Sequence, residues 1–209
     1  MKIKKIGHSC LLINEGGLNI LTDPGTYTAD AVKNLTGIDV VLVCDEHQDH
    51  FDVPTIEALL KNNPGLRIVT QKAVNKLLAD KNIKSEILLD KQTVEIKGVK
   101  FEGCGEKHAL LHSSIPQSDN TGYIISDRFF YPGDALTVPH KQIEILALPV
   151  SGPWLKSAEV IDYVLAVKPK FCFPVHDSMG GGGFMGMMIG RITEKQGIKM
   201  LDPQNEMEF

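Results

Sequence analysis

Apolar positions along the chain come in short runs and alternations, which predict many strands interrupted by four helical segments. Residues 2 to 23 read as two strands joined at Glu15-Gly16-Gly17. The first carries Ile3, Ile6 and Leu11 to Ile13, and the second Leu18 to Leu21. Asp39 to Cys44 contains the unbroken run Val40-Val41-Leu42-Val43, the signature of a strand covered on both faces. Pro54 opens a helix with Ile56, Leu59 and Leu60 on one face, and Asn63-Pro64-Gly65 stops it. Arg67 to Thr70 is a further strand, and residues 72 to 81 a further helix.

A β-rich middle follows. Val94 to Ile96 and Val99 to Phe101 flank Lys97-Gly98, and Gly122 to Ser126 and Phe129 to Tyr131 flank Asp127-Arg128, giving two hairpins. Ile143 to Val150 is a buried strand, 157 to 167 an amphipathic helix, and Phe171 to Val175 a strand ending at His176. A glycine run at 180 to 183 leads into a Met-rich helix to about Gln196 and a last strand near 198 to 201. Strands precede helices in both halves, with hairpins between. That order predicts two sheets packed face to face with helices outside, an αββα four-layer sandwich, as a single α/β domain over 1–209. No fixed-period repeat interrupts it.

Composition narrows the function. With 209 residues and 43% hydrophobic content the chain can bury a full core. The net charge of -4 and the lack of a Lys/Arg cluster argue against a nucleic-acid partner. No run approaches the roughly 18 apolar residues of a membrane span, and the start lacks a signal peptide's apolar stretch. Cys10, Cys44, Cys104 and Cys172 form no CxxC and fit free thiols in a reducing, cytoplasmic setting.

The chemistry concentrates in Asp45-Glu46-His47-Gln48-Asp49-His50, directly after the buried strand. Imidazole nitrogens and carboxylate oxygens suit zinc or another first-row divalent ion. Residues at this spacing converge on a turn rather than on a helix face. A turn at a strand's C-terminal end is where α/β sites tend to lie. Three more ligand-type residues stand just past apolar strands: His108 after Glu106-Lys107, Asp134 after Tyr131-Pro132-Gly133, and His176 after Pro174-Val175.

In this order the motifs resemble the metallo-β-lactamase superfamily, whose pattern is HxHxDH, a single His, an Asp in a Gly-Asp pair, and a final His. Gly7-His8-Ser9-Cys10 and Leu21-Thr22-Asp23-Pro24-Gly25 also look like the branch that contains the ascorbate-6-phosphate lactonase. The resemblance implies two divalent metal ions, zinc first. Asp45, His47 and His108 would hold one, Asp49, His50 and His176 the other, and Asp134 would bridge them. It further implies attack by a metal-bound hydroxide, with Asp49 orienting it and passing a proton to the leaving group. A homo-oligomer is also admitted.

Asp45 departs from the pattern, which has His there. Three carboxylates and a hydroxide then balance two divalent cations, four negative charges against four positive. That weakens the metals as Lewis acids and raises the pKa of bound water. It also makes manganese or iron reasonable beside zinc, and altered occupancy of the first site is expected.

Around this set, His8 is expected behind the ligands, at the substrate, or in a structural hydrogen bond. Asp23 is expected to support the metal turn. His112 is the alternative to His108, or a substrate contact or exposed loop residue. Trp154 and Lys156 are candidates for a pocket wall and an anion contact, beside the plainer reading of a surface Trp and a solvated Lys. Met179, Gly180 to Gly183 and Met185 suggest a mobile rim or a plain connector. Cys44 is read as packing. The leading expectation is a metal-dependent hydrolase acting on a small polar molecule, a lactone, phosphodiester or other ester. The alternatives are a catalytically silent metabolite binder, an RNA-processing nuclease, and a diiron redox protein.

Overall fold

The structure, a computed structural model, describes residues 1–178 and 182–209. The chain opens with three antiparallel strands, β1 (Lys2–Gly7), β2 (Cys10–Glu15) and β3 (Leu18–Thr22). The expected first strand is therefore two, separated by a tight turn at His8-Ser9. A short helix α1 (Ala29–Val32) leads to β4 (Val40–Val43), which lies parallel to β3. Helix α2 (Val53–Asn62), strand β5 (Arg67–Thr70), helix α3 (Lys72–Ala79) and strand β6 (Glu86–Ile87) continue in parallel register. Asp52 caps α2 by accepting from the Thr55 N–H at 3.0 Å, with Pro in the first turn, as its sequence requires.

The second half repeats the logic. β7 (Thr93–Ile96), β8 (Val99–Cys104), β9 (Gly122–Ile125) and β10 (Phe129–Tyr131) form an antiparallel meander. β11 (Ile145–Pro149), helix α4 (Ser157–Val167) and β12 (Phe171–Val175) extend it in parallel. Helix α5 (Gly182–Thr193) and a 3-10 turn lead to β13 (Lys199–Met200) on the outer edge. A strand that the sequence reading lacks, β14 (Met207–Glu208), returns to pair with β1. The sheet orders are β14-β1-β2-β3-β4-β5-β6 and β13-β12-β11-β10-β9-β8-β7.

The two-residue strand period assigns the layers. Val40 and Leu42 of β4 join Phe101, Tyr123, Phe129 and Phe173 in the core between the sheets. Val41 and Val43 face the other way and pack with Ile56 and Leu59 of α2 and Val74 and Leu78 of α3. In β11, Ile145 and Ala147 point to the central core, while Leu146 and Leu148 pack with Val160 and Val164 of α4. Both strands are thus covered on both faces by an αββα arrangement. The C-terminal ends of β4, β10 and β12 lead directly into Asp45, into Asp134 after Pro132-Gly133, and into His176. No helix among the described residues is long and apolar enough to cross a membrane.

Candidate metal centre

Two groups of ligand-type side chains meet at this edge. Asp45, His47, His108 and Asp134 form one, and His8, Asp49, His50 and His176 the other. Within each group one ligand atom per residue lies within 4.8 Å of all the others. Asp134 ties the groups together. Its Oδ1 is 3.2 Å from His50 Nε2, and its Oδ2 is 3.3 Å from His108 Nε2 and 3.1 Å from His176 Nε2.

The fold gives each imidazole one nitrogen for the centre and fixes the other. His50 Nδ1 donates to Asp23 Oδ2 at 2.7 Å, His108 Nδ1 donates to the Ala109 carbonyl at 2.6 Å, and His176 Nδ1 donates to the Ser151 carbonyl. His47 turns its Nδ1 toward Asp45 Oδ1 at 3.2 Å, while Ser118 Oγ stands 3.4 Å from its Nε2. His8 Nε2 lies 3.1 Å from Asp49 Oδ2, and its Nδ1 accepts from the Ser178 N–H at 3.3 Å. His8 therefore sits behind Asp49 and orients it.

The inward atoms fit cations. His50 Nε2, His176 Nε2 and Asp134 Oδ1 are buried without a hydrogen-bond partner, although His50 Nε2 lies 3.2 Å from Asp134 Oδ1 and His176 Nε2 lies 3.1 Å from Asp134 Oδ2. Buried polar atoms are rarely left so. Tetrahedral ligands about 2.1 Å from one ion stand roughly 3.4 Å apart, close to these separations. Without an ion the carboxylates act on the histidines instead. Burial alone would lower the His176 pKa, but Asp134 and Asp49 outweigh it and raise the value to about 9. Burial opposes His50 in the same way, and Asp134 and Asp45 lift it well above the usual histidine range. A hydrogen bond to Asp45 raises His47. Burial would raise Asp49, yet hydrogen bonds from His176 and His8 hold its carboxyl below the usual range.

Close backbone approach explains two glycines. A Cβ on Gly25 would lie 2.1 Å from the Asp49 carbonyl, so the 23–25 turn can lie against the metal turn only with glycine there. Gly133, at φ +64, would drive a Cβ to 2.4 Å from Asn120 Oδ1 and 2.6 Å from Cys44 Cβ. Asn120 Oδ1 accepts from the Asp134 N–H at 2.9 Å and so aims that carboxylate.

Residues 2–176 match the family model described as beta-lactamase superfamily domain. This chain belongs to the metallo-β-lactamase superfamily. Its relatives in that superfamily include Protein Rv0786c of Mycobacterium tuberculosis, 34% identical over 93% of this chain and 92% of that one. A UPF0173 metal-dependent hydrolase of Nanoarchaeum equitans is 25% identical over 84% of this chain and 83% of its own. Among solved structures, a proposed metal-dependent hydrolase of Parabacteroides distasonis superposes with a TM-score of 0.81 at 22% identity, covering 97% and 92% of the two chains. The chain is a metal-dependent hydrolase of this superfamily, with two mixed sheets flanked by helices.

Measured against the sequence reading, the superfamily member brings together all seven expected ligands, with His8 as an eighth group. His108 does not follow its strand directly. β8 ends at Cys104, and Gly105 at φ +90 turns the chain into a bridge between Lys107 and Asp119 before His108. His112 stays on an exposed loop, its Nδ1 2.7 Å from Ser114 Oγ, and joins neither group. Lys156 is not at the centre either; its side chain is 81% exposed and 3.6 Å from Glu159. Trp154 is buried with its ring 5.3 Å from His108 and 5.7 Å from His176, and Gly152 leaves it room. Met179, Gly180 and Gly181 lie outside the described residues.

Cys44 needs correction, because it does more than pack. Its Sγ and N–H both donate to Asp23 at 2.8 Å. The role of Tyr131, read only as a strand residue in the sequence, is new. Its hydroxyl donates to Asp23 Oδ2, buried two residues before Gly133. A lone tyrosine in the apolar run Phe129-Phe130-Tyr131 was the available signal, since a buried hydroxyl needs a partner.

Proposed function

We propose that this chain hydrolyses a small polar substrate, a lactone, phosphodiester or other ester, with two divalent ions at the Asp134-linked groups. Asp45, His47 and His108 would hold one ion, Asp49, His50 and His176 the other, and Asp134 both. Zinc comes first on a donor set that gives each ion two imidazoles and two carboxylates, and the carboxylate at 45 admits manganese or iron. When bound, such ions activate water and polarise the scissile group. The chain's own contribution is positional. Asp49, the most accessible carboxylate of the set at 17%, would align the attacking water and carry its proton to the leaving group. His8 would hold Asp49 for that transfer, and Trp154 would keep solvent from the His108–His176 side. The lactone is included because residues 7–10 and 21–25 resemble the lactonase-like branch. Four buried free thiols fit a cytoplasmic setting.

The supporting observation is the single carboxylate of Asp134, which faces histidines of both groups. Elemental mass spectrometry on wild type and Asp45→His, alongside a chromogenic ester and phosphodiester panel, tests the reading. Two metals per chain with metal-dependent turnover is the expected result. A protein that binds no metal from a full transition-metal set sinks it.

A further inference from the structure

Among the described residues of the centre, Asp45, His50, His108, Asp134 and His176 are buried, and the accessible edge is formed by His47, with its side chain 40% exposed, and Asp49. The loop 109–118 borders this edge, and both its ends are pinned to the centre. The Ala109 N–H donates to the Asp134 carbonyl at 2.7 Å, Gln117 Nε2 donates to the His108 carbonyl at 2.6 Å, and Ser118 Oγ stands by His47. Between these anchors Leu110, Leu111 and Ile115 are 57%, 46% and 49% exposed. Across the centre, Tyr27 is 53% exposed with its ring 5.0 Å from His8. Four of the ten exposed large apolar side chains among the described residues thus lie on segments tied to the centre. Clustered apolar exposure beside convergent polar groups marks a ligand surface.

Charge points the same way. No Lys or Arg among the described residues pairs with a carboxylate of the two groups. Lys5 pairs instead with Asp177, Lys107 with Asp119 at 2.6 Å, and Lys156 with Glu159 at 3.6 Å. Asp45, Asp49 and Asp134 supply three negative charges, so two divalent ions and one hydroxide leave the centre with no net positive charge. An anionic substrate would meet neither a cationic clamp nor a favourable field.

We infer that the substrate is an uncharged carboxylic ester or lactone bearing an apolar arm, which lies on Leu110, Leu111, Ile115 and Tyr27. This rests on the hydrolytic reading above and selects within it against the phosphodiester. In the reaction the water oxygen bonds to the acyl carbon and the acyl–oxygen bond breaks. Asp49 delivers a proton to the leaving alkoxide, giving an acid and an alcohol.

Trp154 is the sole tryptophan and touches two of the ligand histidines, so its fluorescence reports binding without turnover. The metal-loaded protein is titrated with alkyl hydroxamates from two to eight carbons and, separately, with inorganic phosphate and phenyl phosphate. Affinity should rise about twofold to fourfold per methylene, the scale of burying one CH₂ group. The phosphates should bind more than tenfold more weakly than the longest hydroxamate, and Asp45→His should narrow that gap. The double variant Leu110→Ser/Leu111→Ser should flatten the chain-length dependence while leaving the two-carbon probe unchanged. A flat series in wild type, or tighter binding of phosphate, overturns the inference. So does a double variant that changes oligomeric mass but not the chain-length slope, because the patch would then be a contact between copies. Graded hydroxamate binding with no ester turnover overturns the hydrolytic reading alone. Turnover with preference for the phosphodiester overturns the substrate class alone.

Discussion

Asp23→Asn isolates the support of one metal site while leaving volume nearly constant. The Asp23 carboxylate is fully buried and takes four donors. Oδ1 accepts from the Cys44 N–H at 2.8 Å, and Oδ2 accepts from Cys44 Sγ at 2.8 Å, His50 Nδ1 at 2.7 Å and the Tyr131 hydroxyl. An amide must place its NH₂ against one of these sets. The thiol and the hydroxyl can rotate away. His50 can respond only by moving its proton from Nδ1 to Nε2, the atom that faces Asp134 at 3.2 Å. That tautomer cannot ligate. Losing a hydrogen bond to a charged acceptor costs about 1.5–3 kcal/mol, or roughly 10- to 150-fold in affinity. Loss of such an outer partner typically costs about 10- to 100-fold in metal affinity. The loss should fall on the Asp49–His50–His176 site, because Asp45, His47 and His108 do not contact Asp23. Chelator-buffered titration read by elemental mass spectrometry should show stoichiometry falling from two to one in the variant. Two ions held within threefold of wild-type affinity would refute the argument that Asp23 fixes the His50 tautomer.

Gly25→Ala should lose about 3 kcal/mol of stability and most bound metal, since its Cβ meets Asp49 backbone at 2.1 Å; thermal unfolding and metal content check this. In the metal-free protein the His176 pKa is about 9 against an ordinary value near 6.5, so its stabilisation is full below about pH 6.5 and fades as pH rises through about 9. Urea unfolding of metal-free protein at pH 6.5 and 9.5 should show that loss, and calorimetry in buffers of different ionisation enthalpy should show proton release on metal uptake near pH 7. Chelation should lower Tm by about 8–16 °C relative to protein with metal at 1,000 times its Kd, the equivalent of about 4 kcal/mol for a chain of this size.

Much of this architecture was legible because the central strands speak plainly. Val40 to Val43 cannot be satisfied on one face, and that run alone implies cover on both sides. Helix α4 was bounded by its own apolar stripe. The seven candidate ligand positions were visible because they stand in turns or loops that follow apolar runs. What escaped depends on contacts between distant segments. The His8-Ser9 turn carries no Gly or Asn at its left-handed position, so β1 and β2 read as one strand. β14 is two residues long, and only its pairing with Ile3 and Lys2 makes it a strand. Cys44 and Tyr131 became functional groups only when the fold brought Asp23 between them. The commitment of Lys156 to Glu159 is likewise a matter of local pairing that spacing does not reveal.

His8, Asp23 and His176 share an unusual backbone, with φ of 47°, 38° and 52°. Each non-glycine residue held there costs about 1–2 kcal/mol. None of the three can be exchanged for glycine or asparagine without losing its contact to Asp49, His50 or Asp134. Selection for stability and selection for the metal centre therefore pull in opposite directions at these positions. In a lineage that gives up the chemistry, the first pull acts alone, and glycine or asparagine is expected to spread there early. The three positions together would then act as a molecular fossil, recording from sequence alone whether a descendant still uses its metals.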